Sequence, residues 1–406
     1  MLKIGVQSRG IINEKVYEQG YKYIRNSGIQ CIDYDIIQEN FDKYDLNYYR
    51  KHKECAEKYG LFFSQVHAPV FKYHMEHIVD NQRSYDLEYI ISALKKSIEI
   101  CKVLESPYLV IHALNIAEKT SKEEEFDINM QLFNAISEHA INHKVVICIE
   151  NVPLRKYGKM YVGACSNAQT IKKYIEILNN NLKSECFGSC FDIGHANVLR
   201  QNFTEELIIL GESLKVVHIH DNDGRYDLHQ LPYTFTNGIK GQCSTDWNSF
   251  LITLRDIGYH GVLSFETYKV FTTMPGIILE DILKTLFKLG KVFSDVILYN
   301  ERLEKYISYK FIIFGAGKML DVYMEYFGEK YTPSIIVDNN SKLWGAKRYG
   351  IEICNPNILK NIIKNSKMII IICSSYYEEI IVQLNQMGIK EYELSEEIYR
   401  MGGKPS

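Results

Sequence analysis

A surplus of basic residues is missing. The 406 residues hold 47 Lys and Arg against 50 Asp and Glu, a formal net charge of −3. That balance offers no cationic footprint for a nucleic-acid backbone, and no polybasic or acidic tail stands out. Long hydrophobic runs are missing too. The opening MLKIGVQSRG has no apolar core of signal-peptide length, and no run approaches the roughly 18 residues of a membrane span. A cytoplasmic protein without a membrane partner is the expectation. Cysteines at paired spacing are also absent: the 10 present are scattered. Cys31, Cys148, Cys190 and Cys373 lie in strand-like apolar runs, where a free thiol behaves as a small hydrophobe. Cys186 and Cys190, four apart, read as core packing ahead of a metal pair, and a reduced compartment follows. Tryptophan is scarce, 2 against 30 tyrosines, a compositional bias that carries no function.

What is present is alternation, in a chain long enough for two domains. Short apolar runs predict strands at Lys3–Gln7, Cys31–Ile36, Phe62–His67, Tyr108–His112, Val145–Glu150, Phe187–Asp192, Lys215–His220 and Gly261–Glu266. Amphipathic stretches between them predict helices, among them Ser84–Leu104, Ile128–Asn142, Asn167–Leu178 and Asp246–Ile257. Gly28 and Gly60 are placed to stop helices, and Ser166 and Thr245 to cap them. Eight such units match the requirement of a (β/α)8 TIM barrel over residues 1–272, with a doubly wound open sheet as the alternative. Residues 273–305 read as a helical connector, and 306–406 as a second, smaller α/β domain.

The stretch Val216–His229, VVHIHDNDGRYDLH, begins as a buried strand and ends in imidazoles and carboxylates. Alone it is also compatible with a solvated turn. Its weight comes from recurrence. The third to eighth predicted strands end in VHAP (His67), IHAL (His112), IENVP (Glu150), FDIGHA (Asp192, His195), VHIHD (His218) and FET (Glu266). In a (β/α)8 barrel those ends meet at one mouth. Converging buried charges need neutralising partners, and a divalent cation is the simplest. Mixed nitrogen and oxygen ligands suit Zn²⁺, Mn²⁺, Fe²⁺ or Co²⁺ better than Ca²⁺; Mg²⁺ stays open.

HAP, IHAL, IENVP, DIGHA, HIHDNDG, DLH and FET together resemble the xylose-isomerase-like barrel superfamily, over residues 1 to about 270. It includes sugar and sugar-phosphate isomerases and epimerases, inosose dehydratases and apurinic-site endonucleases. In the epimerase branch the resemblance implies a metal held by Glu150, Asp192, His218 and Glu266, with Glu150 and Glu266 as the acid/base pair. Removing a proton next to a carbonyl needs stabilisation of the enediolate, which a metal supplies, and a carboxylate on each face to move the proton. The endonuclease branch is the alternative: its three-zinc pattern would add His67, His112, His195, Asp227 and His229, residues that also occur in sugar-active relatives. The missing basic surface weighs against it. A non-catalytic metal- or sugar-binding module is the third reading. The expected partner is a small-molecule sugar or sugar phosphate, with no nucleic acid; a homo-oligomer stays open. The segment QLPYTFTNGIKGQCST between His229 and Asp246 is longer than in relatives, either as a lid over the pocket or as an inert loop. His74 and His77 are either pocket-lining or part of a solvated helix start.

In the second domain, FIIFGAGKMLDVYMEYF places Gly315 and Gly317 between a strand and a helix, with new strands at Phe311–Gly315, Ser334–Asp338 and Lys367–Cys373. Such glycines bring a phosphate near a helix N-terminus, but Leu320 replaces the third glycine of the fingerprint. Asp338 sits where an acid would meet a ribose hydroxyl. This part resembles small Rossmann-like domains fused to sugar-modifying and glycan-assembly proteins. A nucleotide or nucleotide-sugar ligand, a structural or oligomerising role, and NAD-dependent hydride transfer are the readings.

Overall fold

The computed structural model describes residues 1–12, 17–37, 41–43, 45–71, 86–116, 121–235, 245–362 and 367–400. Two compact units divide the chain, Met1–Lys291 and Val292–Ser406; the division falls inside the helix Leu279–Ile297. Among the described residues, no helix is long and apolar enough to cross a membrane. His74, His77 and the middle of the segment before Asp246 lie outside the described residues.

In the first unit the strands are β1 (Ile4–Gln7), β2 (Cys31–Asp35), β3 (Phe62–His67), β4 (Tyr108–Ile111) and β5 (Val146–Glu150). A hairpin of β6 (Leu154–Lys156) and β7 (Lys159–Tyr161) follows, then β8 (Phe187–Asp192), β9 (Leu214–Ile219) and β10 (Leu263–Phe265). Eight of them close a barrel in the order β1-β10-β9-β8-β5-β4-β3-β2, so the open-sheet alternative is excluded. All eight neighbouring pairs are parallel. Register levels the functional ends: Asp35 pairs with His67, Glu150 with Cys190, and Asp192 with His218. Strands buried on both faces account for the continuous apolar runs.

Helix starts depart from expectation by one residue at two places. Asn167 and Asp246 are the N-caps, accepting from the N–H groups of Thr170 and Ser249. The hydroxyls of Ser166 and Thr245 are committed elsewhere, donating to the Val152 carbonyl at 2.8 Å and to Asp221 Oδ1 at 2.6 Å. The helix expected from Ile128 begins at Lys122. There Ser121 and Glu124 form a reciprocal capping box and three glutamates occupy the first turn, so capping and the helix dipole extend it beyond its apolar pattern.

The second unit is a six-stranded sheet, ordered β13-β14-β12-β11-β15-β16. Its strands are β11 (Lys310–Phe314), β12 (Pro333–Val337), β13 (Lys347–Arg348), β14 (Ile351–Cys354), β15 (Met368–Ile372) and β16 (Tyr392–Leu394). Only the short β13–β14 pair is antiparallel. Phe311 and Ile313 pack into one core, Ile312 and Phe314 into another, so both faces are covered. Strand order reverses at β11, between β12 and β15, which is where open α/β sheets bind ligands.

Candidate functional site

Side chains from four barrel strands converge at the carboxyl end. Glu150 ends β5, Asp192 ends β8, His218 lies in β9, and Glu266 follows β10; one donor atom from each lies within 4.8 Å of all the others. All four are buried. His218 Nδ1 is 3.0 Å from Glu266 Oε2, 3.4 Å from Glu150 Oε1 and 3.9 Å from Asp192 Oδ2. Three carboxylates turned toward one ring nitrogen leave a surplus of lone pairs. Glu266 Oε2 is buried and makes no hydrogen bond, an unsatisfied acceptor of the kind a cation would neutralise.

The surroundings hold these groups in place. Gln7 Nε2 donates to Glu266 Oε1 at 2.6 Å, which leaves Oε2 facing the centre. The Gln65 amide lies 2.7 Å from His218 Nε2, and Asp33 Oδ2 lies 3.6 Å from the same nitrogen. Gln65 Nε2 is the amide atom that faces His218 Nε2; with Nδ1 as a ligand atom, Nε2 would turn its hydrogen toward Asp33 Oδ2, a carboxylate behind a metal-binding imidazole. Asn151 Oδ1 accepts from the Asp192 N–H at 2.6 Å, and its Nδ2 donates to the Asp192 carbonyl at 2.8 Å.

Two further groups adjoin the centre. His67 Nε2 and His112 Nε2 stand 3.1 and 3.0 Å from Glu150 Oε2. His195 Nε2 and His229 Nε2 lie 3.4 and 2.9 Å from Asp227 Oδ2, and His195 Nδ1 is 3.2 Å from Glu150 Oε1. Glu150, Asp192, His218, Glu266, His67, His112, His195, Asp227 and His229 are therefore in one connected cluster. Burial disfavours charge on these groups; it prevails at His112, held below its ordinary value despite Glu150, while opposite charges overrule it at several others. The hydrogen bond and charge of Glu150 lift His67 to about 9, and Asp227 lifts His229 to about 9. Burial would raise Glu150 and Asp227 as well, yet facing histidines hold both well below the usual carboxylate range. Burial pushes Asp33 up to about 7 against the pull of His218.

His220 has a larger part than its place in the motif suggested. Its Nε2 is 3.1 Å from both oxygens of Asp192, and its ring stacks on His229 at 4.1 Å. Gly194 makes room: a Cβ there would lie 1.9 Å from His220 Cε1. The glycine in DIGHA was the available clue. Gln7, Gln65 and Asp33 gave none, because a polar residue inside a barrel strand reads like any other.

In the second unit, Gly315 and Gly317 occupy the turn between β11 and the helix Lys318–Tyr326. Gly315 has φ +116°, and a Cβ on it would sit 2.3 Å from the Cys373 carbonyl oxygen, so only glycine fits. Gly317 caps the helix without a side-chain bond. Asp338 is already engaged: its oxygens accept the Ala316 N–H at 2.8 Å and the Asn340 N–H at 2.7 Å.

A family model described as a xylose isomerase-like TIM barrel matches residues 20–283. Another, described as C2185-like, N-terminal, matches residues 307–395. An uncharacterised protein of Methanocaldococcus jannaschii, MJ1311, is 26% identical over 282 residues, 66% of this chain and 88% of its own length. The crystal structure of a D-tagatose 3-epimerase-like protein aligns with TM-score 0.54 and 23% identity, over 71% of this chain and 98% of its own. That of the IOLI protein with a binding zinc atom aligns with TM-score 0.52 and 18% identity, over 73% and 99%. At these identities the two structures establish the barrel fold.

Proposed function

From the premise that this chain belongs to the xylose isomerase-like TIM barrel family, we propose that it is a metal-dependent sugar or sugar-phosphate isomerase or epimerase. The observation that carries the reading is the four-residue convergence with its unsatisfied Glu266 oxygen. Glu150, Asp192, His218 and Glu266 suit Mn²⁺, Zn²⁺, Co²⁺ or Mg²⁺ as a mixed nitrogen and oxygen set. The zinc described for the IOLI protein and the D-tagatose 3-epimerase-like protein of the same fold support it. When bound, the cation would stabilise negative charge developing beside a sugar carbonyl.

The chain's own groups supply the rest. Glu150 and Glu266 approach His218 Nδ1 from different strands, at 3.4 and 3.0 Å. One carboxylate takes the proton next to the carbonyl, and the other returns it on the opposite face or at the neighbouring carbon. His67 and His112 fix Glu150 Oε2, and Gln7 fixes Glu266 Oε1, so one oxygen of each acid stays directed inward. Proton exchange with solvent is the readout. Wild-type protein should incorporate solvent deuterium into a panel of ketoses. Glu150→Gln and Glu266→Gln should each lower that rate by roughly 10²–10⁴-fold; near-wild-type exchange in both variants would sink the mechanism.

The two adjoining groups favour a second reading, a zinc-dependent phosphodiesterase resembling the apurinic-site endonucleases. His67, His112 and Glu150 offer donors within 4.8 Å of one another, and Asp227 contacts both His195 and His229. Metal analysis separates the two. About one exchangeable metal per chain supports the sugar reading; about three tightly held zinc ions support the phosphodiesterase. For the second unit, the uncapped turn at Gly315 and Gly317 supports a nucleotide or nucleotide-sugar site. Absence of a thermal shift with UDP-glucose, ATP and NAD alike would favour a structural role instead.

A further inference from the structure

Beside the metal-binding cluster lies a charge pair that the proposed proton transfers do not use. Where β1 and β2 end, Ser8, Arg9, Tyr34, Asp35, Tyr48 and His52 help to line a small open cleft of about 60 Å³. Asp35 is level with His67 in the strand register, and the Ser8 hydroxyl accepts its N–H at 2.9 Å, which ties the two strand ends together. Arg9 Nη1 lies 3.7 Å from Asp35 Oδ2, and that buried oxygen makes no hydrogen bond. The guanidinium also lies 4.5 Å from the centre of the Tyr268 ring, and the Tyr268 ring lies 4.5 Å from that of His229. Arg9 is thus half-exposed yet held on the rim of the mouth that contains Glu266.

A guanidinium next to an unsatisfied carboxylate oxygen offers donors and an acceptor with no net charge. A hydroxyl both donates and accepts, so adjacent hydroxyls of a sugar can satisfy both partners. A phosphate dianion only accepts; it would gain Arg9 and be pushed against Asp35, a repulsive element of the kind that sets specificity. We propose that Arg9 and Asp35 form a specificity pair that binds the hydroxyls remote from the reacting carbons and selects an uncharged sugar over its phosphate. The proposal rests on the sugar reading of the metal centre and narrows its substrate class. Neither residue meets the reacting atoms; both act in binding.

The test is calorimetric binding of six-carbon ketoses and their 6-phosphates to the Mn²⁺-loaded full chain, using wild type, Arg9→Gln and Asp35→Asn. Wild type should bind at least one free ketose about tenfold more tightly than its phosphate. Asp35→Asn should tighten phosphate binding about tenfold while changing ketose binding far less. Arg9→Gln, at a half-exposed position that folding tolerates, should weaken ketose binding about tenfold. The pair is overturned if wild type prefers the phosphate, if it binds no compound of either kind, or if neither variant moves the ratio. Deuterium exchange into the same ketoses separates this from the reaction. The expected binding pattern without exchange sinks the isomerase reading and keeps the pair; exchange with an unmoved ratio does the reverse.

Discussion

At the barrel mouth, Glu150, Asp192, His218 and Glu266 bring side-chain lone pairs together within 4.8 Å. At the carboxyl end of the second sheet, the turn at Gly315 and Gly317 presents backbone, and the nearby acid, Asp338, is already taken by the Ala316 and Asn340 N–H groups. Both places are strand ends beside helices, yet they hold different chemical capital. The barrel collects charges that need an external partner, whereas in the sheet the Asp338 carboxylate shapes its own loop. The lesson is that strand-end position marks a site, and unsatisfied side-chain atoms indicate which kind.

The largest expected effect sets those two acids against each other. Glu150→Gln should abolish most deuterium exchange, by roughly 10²–10⁴-fold. Asp338→Asn should leave the exchange rate unchanged and lower the melting temperature of the second unit, since a charged acceptor of two backbone N–H groups becomes neutral. If Asp338→Asn slowed exchange as Glu150→Gln does, the contrast between the regions would break.

Two glycines sharpen the comparison at a smaller scale. A Cβ on Gly194 would stand 1.9 Å from the His220 ring, and one on Gly315 would stand 2.3 Å from the Cys373 carbonyl oxygen. Each alanine substitution should cost about 3 kcal/mol by overpacking, read from denaturant melts. Their functional readouts should diverge. Gly194→Ala must displace His220 from Asp192, so Mn²⁺ affinity should fall; Gly315→Ala should leave Mn²⁺ affinity intact.

The same asymmetry explains what could be read in advance. Strand positions in the barrel were legible because two-sided burial makes each strand a continuous apolar run, and its carboxyl end is where polarity returns; VHAP, IENVP and FET show the transition directly. His67, His112, Asp192 and His195 were visible for that reason, whereas Asp227, in the DLH beyond the strand, came with the family resemblance. Helix starts were less legible, since Ser166 and Asn167 are both competent caps, and only the tertiary partner of the Ser166 hydroxyl decides between them. Asp33 and Gln65 were opaque. They sit mid-strand and point inward, and alternation cannot separate the inside of a barrel from its helix-covered outside when both are buried. The hairpin of β6 and β7, three residues per strand, is too short for periodicity to register. In the second unit β14 and β16 are short and only partly buried, so no apolar run marks them.

The smallest effect concerns a buried group outside the metal cluster, and it tests whether the barrel's acid sensitivity comes only from its mouth. His52 packs among the rings of Tyr17, Tyr21, Tyr34 and Tyr48, with its Nδ1 2.8 Å from the Tyr21 hydroxyl. Arg9 and Asp35 share the cleft that it lines. Burial lowers His52 from 6.5 to about 4. The unfolded chain therefore binds a proton near pH 6.5 that the folded chain refuses until pH is close to 4. Stability is intact above pH 6.5 and falls as pH drops through that window, by about 3 kcal/mol from this group. His52→Gln keeps a partner for the Tyr21 hydroxyl and removes the titration. Denaturant melts between pH 7 and 4 should show a flatter profile for His52→Gln than for wild type. Parallel profiles would place the acid sensitivity with the carboxylates and histidines of the mouth alone.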